Sequence, residues 1–221
     1  MVNQIKTLAL ELGAWEVGFS EIEPAPEYPK LKHAISIVVK LSDSVIDAID
    51  NAPTFTYFHH YRSVNALIDQ ITLKIGMFLE KNGAQYVCVP ASQSHGRAYF
   101  GLYSHKLAAT KAGLGTIGRN ALFLSKKYGA RVRLGTILTD MDLSEGFQPM
   151  LSESLCTDCM LCVKACPALA LSGEAFDPMQ PEKKLVDAKS CSEYMKEKFQ
   201  LIGRGSVCGI CIRSCPYKGQ N

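Results

Sequence analysis

Over 221 residues, 47% hydrophobic and 20% charged, the chain has the make-up of one large globular domain, or of one domain with a small companion. A net charge of +3, with no lysine or arginine run longer than two, is too slight to argue for a nucleic-acid partner, and no stretch reaches the roughly 18 apolar residues of a membrane helix. The opening MVNQIKTLALELGAWEVG places Lys6 and Glu11 where a secretion signal needs an unbroken apolar core, so a cytoplasmic protein is expected.

In chain order, Ile5, Leu8, Ala9 and Leu12 recur at helical spacing, and Gly13 offers a stop. Residues 34–41 (AISIVVKL) are rich in β-branched side chains and read as a strand. Val64, Leu67, Ile68, Ile71, Ile75, Phe78 and Leu79 predict a long amphipathic helix, which Asn82-Gly83 ends. The segment YFHHYR at 57–62 opens it; there His59 and His60 point about 100° apart and suit no common metal. A strand at 84–89 leads into a glycine-containing loop, 92–103, that carries His95, Arg97, Tyr99 and Tyr103. Residues 104–112 read as a helix with Gly113 just past its end. Residues 121–124 and 132–139 read as two further strands, with Arg131 and Arg133 facing one side as a basic edge or a wet face. A mixed α/β region is thus expected over 1–148. A loop-rich one follows over 149–221, with Pro167, Pro178, Pro181 and Pro216 between short helical pieces.

Eight of the nine cysteines lie in the second region. A reducing cytoplasm disfavours disulfides, so ligation is the first reading. Residues 156–167, CTDCMLCVKACP, spell C-x2-C-x2-C-x3-C-P, the bacterial run for [4Fe–4S] ligation in which the fourth cysteine serves a second cluster. Cys208, Cys211 and Cys215-Pro216 form the same run without its first member, and Cys191 upstream fills the gap. One cluster then takes Cys156, Cys159, Cys162 and Cys215, and the other Cys166, Cys191, Cys208 and Cys211. Two four-thiolate zinc sites are the competing account, which the interlocked x2, x2, x3-Pro spacing disfavours. Cys88 is left as a small core hydrophobe. A region this short needs a staple, and metal clusters supply one.

Gly113, Gly115 and Gly118 spell G-x-G-x-x-G, the dinucleotide fingerprint. That fingerprint needs a strand before its first glycine and a helix after, whereas here the expected order is helix, glycines, strand. Asp140 nevertheless falls where a ribose-binding acid would lie, which keeps a flavin- or nicotinamide-linked reductase open as an alternative.

S-H-K at 104–106, AGLGTIGRN at 112–120, YGARVRLG at 128–135 and T-D at 139–140, together with the double cysteine motif, resemble epoxyqueuosine reductase and its shorter iron–sulfur relatives. The reductive dehalogenases are related to these. The resemblance implies a nitroreductase-like α/β domain followed by a bacterial-type double [4Fe–4S] ferredoxin domain. It also implies a cobalamin cofactor beside the glycine turn, nominating His105, Lys106, Gly113, Leu114, Gly115, Gly118, Arg119 and Asn120 as cofactor-binding. Two departures stand out. Tyr99 holds the place of the family's catalytic aspartate, and the chain ends at Asn221 without the helical-repeat domain that helps hold tRNA. Epoxyqueuosine and nucleic acid are therefore not the expected partners. The dehalogenases use a tyrosine as proton donor, which nominates Tyr99 or Tyr103 for that role. The expected function is a reductase passing low-potential electrons from an external ferredoxin or flavodoxin, through two [4Fe–4S] clusters, to a corrinoid that reduces a small or nucleoside-like substrate. A corrinoid-reactivating or plain electron-transfer protein is the other alternative.

Overall fold

The computed structural model describes residues 1–92, 99 and 101–220. In chain order its elements are α1 (Val2–Glu11), β1 (Glu16–Glu21), β2 (His33–Lys40), α2 (Asp43–Asp47), α3 (Phe55–Lys81), β3 (Tyr86–Val89), α4 (His105–Lys111), β4 (Gly115–Ile117), β5 (Phe123–Ser125), β6 (Val132–Thr139), α5 (Leu161–Ala165), α6 (Ala188–Lys198) and α7 (Ile210–Arg213). They fall into two units interleaved along the sequence. Met1–Lys40, Val64–Gly115 and Arg133–Ser152 form one; Leu41–Ser63, Thr116–Val132 and Glu153–Asn221 form the other.

The first unit is built on a four-stranded sheet in the order β1-β2-β6-β3. β1 and β2 run antiparallel with Phe19 opposite Ile35, and β3 and β6 do the same with Cys88 opposite Ile137. Every interior position of β2 is buried, as its unbroken apolar run requires of a strand covered on both faces. The stripe Ile68, Ile71, Ile75 and Leu79 on α3 is likewise closed to solvent. Each such side chain contributes about 1.5–3 kcal/mol by leaving water. Gly135 lets α3 approach, since a Cβ there would lie 2.5 Å from Ile68 Cγ2. β1 escapes a reading of the sequence because Gly18 interrupts it. A Cβ at that position would lie 2.9 Å from Ala112 and Leu114, so packing demands the glycine.

The second unit has little regular structure. α5 and α7 are five and four residues long, and α6, capped by Asp187 Oδ1 accepting from the Lys189 and Ser190 N–H groups, buries none of its residues. β4 and β5 form a two-stranded sheet, so the strand expected at 121–124 begins later and gains a partner from within the glycine turn. A small apolar cluster of Ile117, Ala121 and Leu185 lies here. Arg131 is 2% exposed and pairs with Asp43 at 2.9 Å and Asp47 at 2.6 Å, both on α2. In the first unit Arg133 donates to Asn65 Oδ1 and the Ala91 carbonyl. Neither arginine forms the wet face or basic edge that their alternation suggests; each is tied to partners distant in sequence. Among the described residues no helix is long and apolar enough to cross a membrane.

Candidate metal centre

The cysteines of the second unit sit on short helices and tight turns. Cys162 lies on α5, which starts after Met160 in a left-handed conformation, and Cys211 lies on α7, which starts after Gly209 in the same conformation. At Gly209 (φ +80°) a Cβ would meet Ile49 Cδ1 at 2.7 Å and Tyr57 Cε1 at 2.8 Å, so the turn between Cys208 and Cys211 accepts glycine and little else. Burial raises the Cys162 thiol, and the charges of Cys156 and Cys159 raise it further. Cys215 is raised by burial and then by Cys156, Cys162 and Cys159. Cys191 is raised by burial and by Cys166, and Cys208 by burial, Cys191 and Cys166. Cys211 is pushed up to about 12, by burial first and then by Cys208, Cys191, Cys166 and Cys162. After burial, the cysteine charges felt by Cys162, Cys215, Cys191 and Cys208 come only from their own set of four, and the effect of Cys162 on Cys211 is the link between sets. Among the described residues no three metal-binding side chains close in far enough for a single ion. A cluster that spreads four thiolates over separate irons does not require them to. The all-thiol donor sets fit [4Fe–4S] chemistry.

The glycine turn runs from helix to strand. α4 ends at Lys111 with Ala112 as its C-cap, and Gly113 (φ +71°) closes it: its N–H donates to Thr110 O, and the Leu114 N–H donates to Ala109 O. Gly115 then starts β4. This is the reverse of a dinucleotide fingerprint, and the G-x-G-x-x-G match is a helix cap followed by a turn. Downstream, the Gly118 N–H donates to Leu122 O at 2.9 Å and Asn120 Oδ1 accepts from the Leu122 N–H at 3.1 Å, so the Asn120 side chain folds back on its own turn. The Arg119 backbone N–H donates to Cys156 Sγ at 3.4 Å, while its guanidinium grips the Gly173 carbonyl and the Asp158 carboxylate. Arg119, expected at an organic cofactor, thus belongs to the first cysteine loop.

His105 is equally engaged. Its Nε2 faces the Pro90 carbonyl at 3.1 Å, which can only accept, so Nε2 carries the proton and Nδ1 accepts from the Thr136 hydroxyl at 2.8 Å. Burial, ahead of any charge, lowers its pKa to about 4. Lys106 is half-buried and burial lowers it too. Of the nominated set, His105, Lys106, Gly113, Leu114 and Arg119 are partly exposed, while Gly115, Gly118 and Asn120 are buried.

Tyr99 is 49% exposed. Tyr103 packs on the cluster of Ile22, Leu31, Ala34, Val89, Ala108 and Leu138, and burial, aided by the Glu23 charge, raises it to about 12. His95 and Arg97 lie outside the described residues. His60 Nε2 accepts from the Ser42 N–H at 3.0 Å, while His59 is exposed. Cys88 is half-buried on β3 rather than fully in the core. Tyr57 and Phe58, at the opening of α3, pack where Gly209 and Gly203 leave room, which braces the second cysteine loop. A groove of about 690 Å³ in the first unit, lined by Tyr28, Lys30, Leu31, Glu80, Gln85 and Tyr86 among others, contains none of the nominated residues.

Residues 155–218 match the family described as 4Fe-4S double cluster binding domain. The chain is similar to the tetrachloroethene reductive dehalogenase of Dehalobacter restrictus, 28% identical over 194 residues that span 82% of this chain and 33% of that protein. It is also similar to the epoxyqueuosine reductase of Lactococcus garvieae, 34% identical over 125 residues, 51% of this chain and 32% of that one. The chain spans about a third of the length of these curated relatives. Two solved structures share the fold. One is a reductive dehalogenase whose dehalogenation is B12-dependent, with TM-score 0.74, 20% identity, and coverage of 98% of this chain and 32% of that one. The other is an epoxyqueuosine reductase bound to an epoxyqueuosine-modified tRNA-Tyr stem loop, with TM-score 0.62, 17% identity, and coverage of 97% and 64%. The chain is thus an iron–sulfur protein similar to both kinds of reductase, with a mixed α/β part and a double-cluster domain.

Proposed function

We propose that this chain is a reductase in which two [4Fe–4S] clusters relay single electrons from an external ferredoxin or flavodoxin to a corrinoid, for reduction of a small or nucleoside-like substrate. The observation that carries the reading is the match of residues 155–218 to a 4Fe-4S double cluster binding domain, in which Cys156, Cys159 and Cys162 would go with Cys215, and Cys191, Cys208 and Cys211 with Cys166. Each set takes three members from one run and one from the other, as a double-cluster ferredoxin does. When bound, the clusters supply one-electron transfer at low potential. The same proposal assigns 149–221 to this ferredoxin-like domain and 1–148 to a nitroreductase-like α/β domain that holds cofactor and substrate.

A corrinoid is the favoured acceptor because a B12-dependent dehalogenase shares the fold. His105, Lys106, Gly113, Leu114 and Arg119, each partly exposed, remain the residues proposed to meet it. The helix-to-strand order of the glycine turn counts against the nicotinamide or flavin alternative. Tyr99 is the proposed proton donor: it is solvent-reachable and its phenol carries an O–H that can be given up. Tyr103 stands second, its raised pKa keeping it protonated but its ring committed to the core cluster. The tRNA stem loop held by one relative keeps a nucleoside within RNA among the candidate substrates.

The test is anaerobic purification of the full chain, reconstitution with iron and sulfide, and separate addition of hydroxocobalamin and flavin. The expected outcome is about eight irons with matching sulfide per chain, a corrin spectrum shifted to the base-off form, and no flavin retention. Flavin retention without a corrin shift overturns the choice of acceptor. Zinc without inorganic sulfide overturns the whole reading. Tyr99→Phe is expected to abolish turnover while leaving cluster reduction unchanged; a corrin shift with turnover indifferent to Tyr99 removes it as donor.

A further inference from the structure

We infer that Arg119 sets the reduction potential of the cluster held by Cys156, an inference that rests on Cys156 being a cluster ligand. The turn around it is fixed by the Gly118 N–H on Leu122 O, the Ala121 N–H on Gly118 O, and Asn120 Oδ1 on the Leu122 N–H. That framework aims the Arg119 peptide N–H at Cys156 Sγ, 3.4 Å away. The side chain comes back to the same loop, donating to the Gly173 carbonyl and pairing with Asp158, two residues beyond Cys156. This explains the glycine turn without a nucleotide: it presents a backbone donor and a cation to a thiolate.

Two further observations show that the arginine is more than a brace. Its side chain is 19% exposed, whereas that of Asp158 is 90% exposed, so water screens the carboxylate far more than the guanidinium and leaves positive charge beside the cysteine loop. Its Nε is buried and has no hydrogen-bond partner among the described residues. A buried donor without an acceptor is costly, and sulfur carried by a cluster at Cys156 is the acceptor chemistry the loop provides. Reduction adds one electron and transfers no atom, so the cluster becomes more negative by one charge. Hydrogen bonds to its sulfurs and a nearby cation stabilise that added charge and raise the potential.

The test uses the full reconstituted chain, with the potentials of both clusters read by redox titration followed by electron paramagnetic resonance. Arg119→Ala is expected to move one potential to more negative values, by at least about tenfold in the reduced-to-oxidised ratio or ~59 mV for a one-electron couple, and to leave the other in place. Arg119→Lys, which keeps the charge but loses the fork and Nε, is expected to fall between. Unchanged potentials at full iron content in Arg119→Ala overturn the inference. Should Arg119→Ala lose a cluster, Arg119→Lys decides: a negative shift supports the inference and a wild-type value overturns it. Cys156→Ser separates the two layers. If it perturbs neither cluster the ligand assignment fails, whereas a silent Arg119→Ala beside a sensitive Cys156→Ser sinks only the role of the arginine.

Discussion

The two units hold themselves together by different means. In the first, Ile5, Phe19, Ile35, Ile37, Ile68 and Ile75 are fully closed to solvent, drawn from helices and strands far apart in sequence. In the second, Leu41, Ile46 and Ile49 are also closed to solvent, but within its cysteine-bearing part, 153–221, α6 buries no residue, and Leu169, Met179 and Leu201 stand 86%, 87% and 91% exposed. The cysteine-bearing part, short and loop-rich, has little apolar area of its own to offset its ordering entropy. Its cysteines are therefore fold as well as function: binding free energy at the thiolates is folding free energy. The comparison teaches that the electron-carrying part is stabilised by the groups that carry the electrons, while the sheet is not.

The largest expected effect breaks that comparison if it fails. Stripping iron from the full chain under reducing, oxygen-free conditions is expected to abolish hydrogen-exchange protection in α5, α6 and α7 while β2 and β6 keep theirs. Cys211→Ser is the single-site version, at the thiol that burial and four neighbouring cysteines perturb most. It is expected to remove about half of the iron, the share of one of two four-iron clusters. Undiminished protection in α6 after iron loss would make the cysteine region an ordinary apolar domain, contrary to its exposure.

How much of this was legible in the residues follows the same divide. The cysteine array reads directly from spacing, because ligation by a tight loop is a local constraint. β6 and α3 read well because the β-branched run 132–139 and the stripe from Val64 to Leu79 are local patterns strong enough to match their packing. β1 did not, since Gly18 answers to Ala112 and Leu114 nearly a hundred residues on. Arg131 was misplaced for the same reason, and the contact of Arg119 with Cys156 was not foreseen: the partners Asp43, Asp47 and Cys156 are near only in space. Long arginines beside glycines or in strand alternation look like surface or cofactor contacts until the distant carboxylate or thiol is known.

A middle-sized effect sharpens the account of the first unit. His105 is held neutral between Pro90 O and Thr136 Oγ1, its pKa lowered from 6.5 to about 4 by burial. The unfolded chain therefore binds more protons than the folded one between those values. Stability is full above pH 6.5 and is lost as pH falls toward 4, by about 3 kcal/mol at most. Amide exchange in β6 followed from pH 7 to pH 5 is expected to show this loss in the wild type and a flatter dependence in His105→Gln. An identical slope in both would mean that the imidazole protonates without leaving its site.

The smallest effect asks whether the glycine turn serves the sheet unit by shape alone. At Gly113 the backbone lies at φ +71°, which costs a side-chain-bearing residue roughly 1–2 kcal/mol, and a Cβ would lie 2.5 Å from the Pro149 carbonyl oxygen, an atom of the main chain that cannot swing aside. Gly113→Ala is expected to lower the unfolding free energy by about 2 kcal/mol, read by denaturant titration of the reconstituted chain. Iron content and both cluster potentials are expected to stay as they are, because the residue caps α4 and the space beside it is closed by Gln148 and Pro149. A shift in potential from this change, matching that of Arg119→Ala, would mean that the cap and the cysteine loop move as one body, and the division between an apolar scaffold and a ligand-held electron carrier would have to be redrawn through the turn.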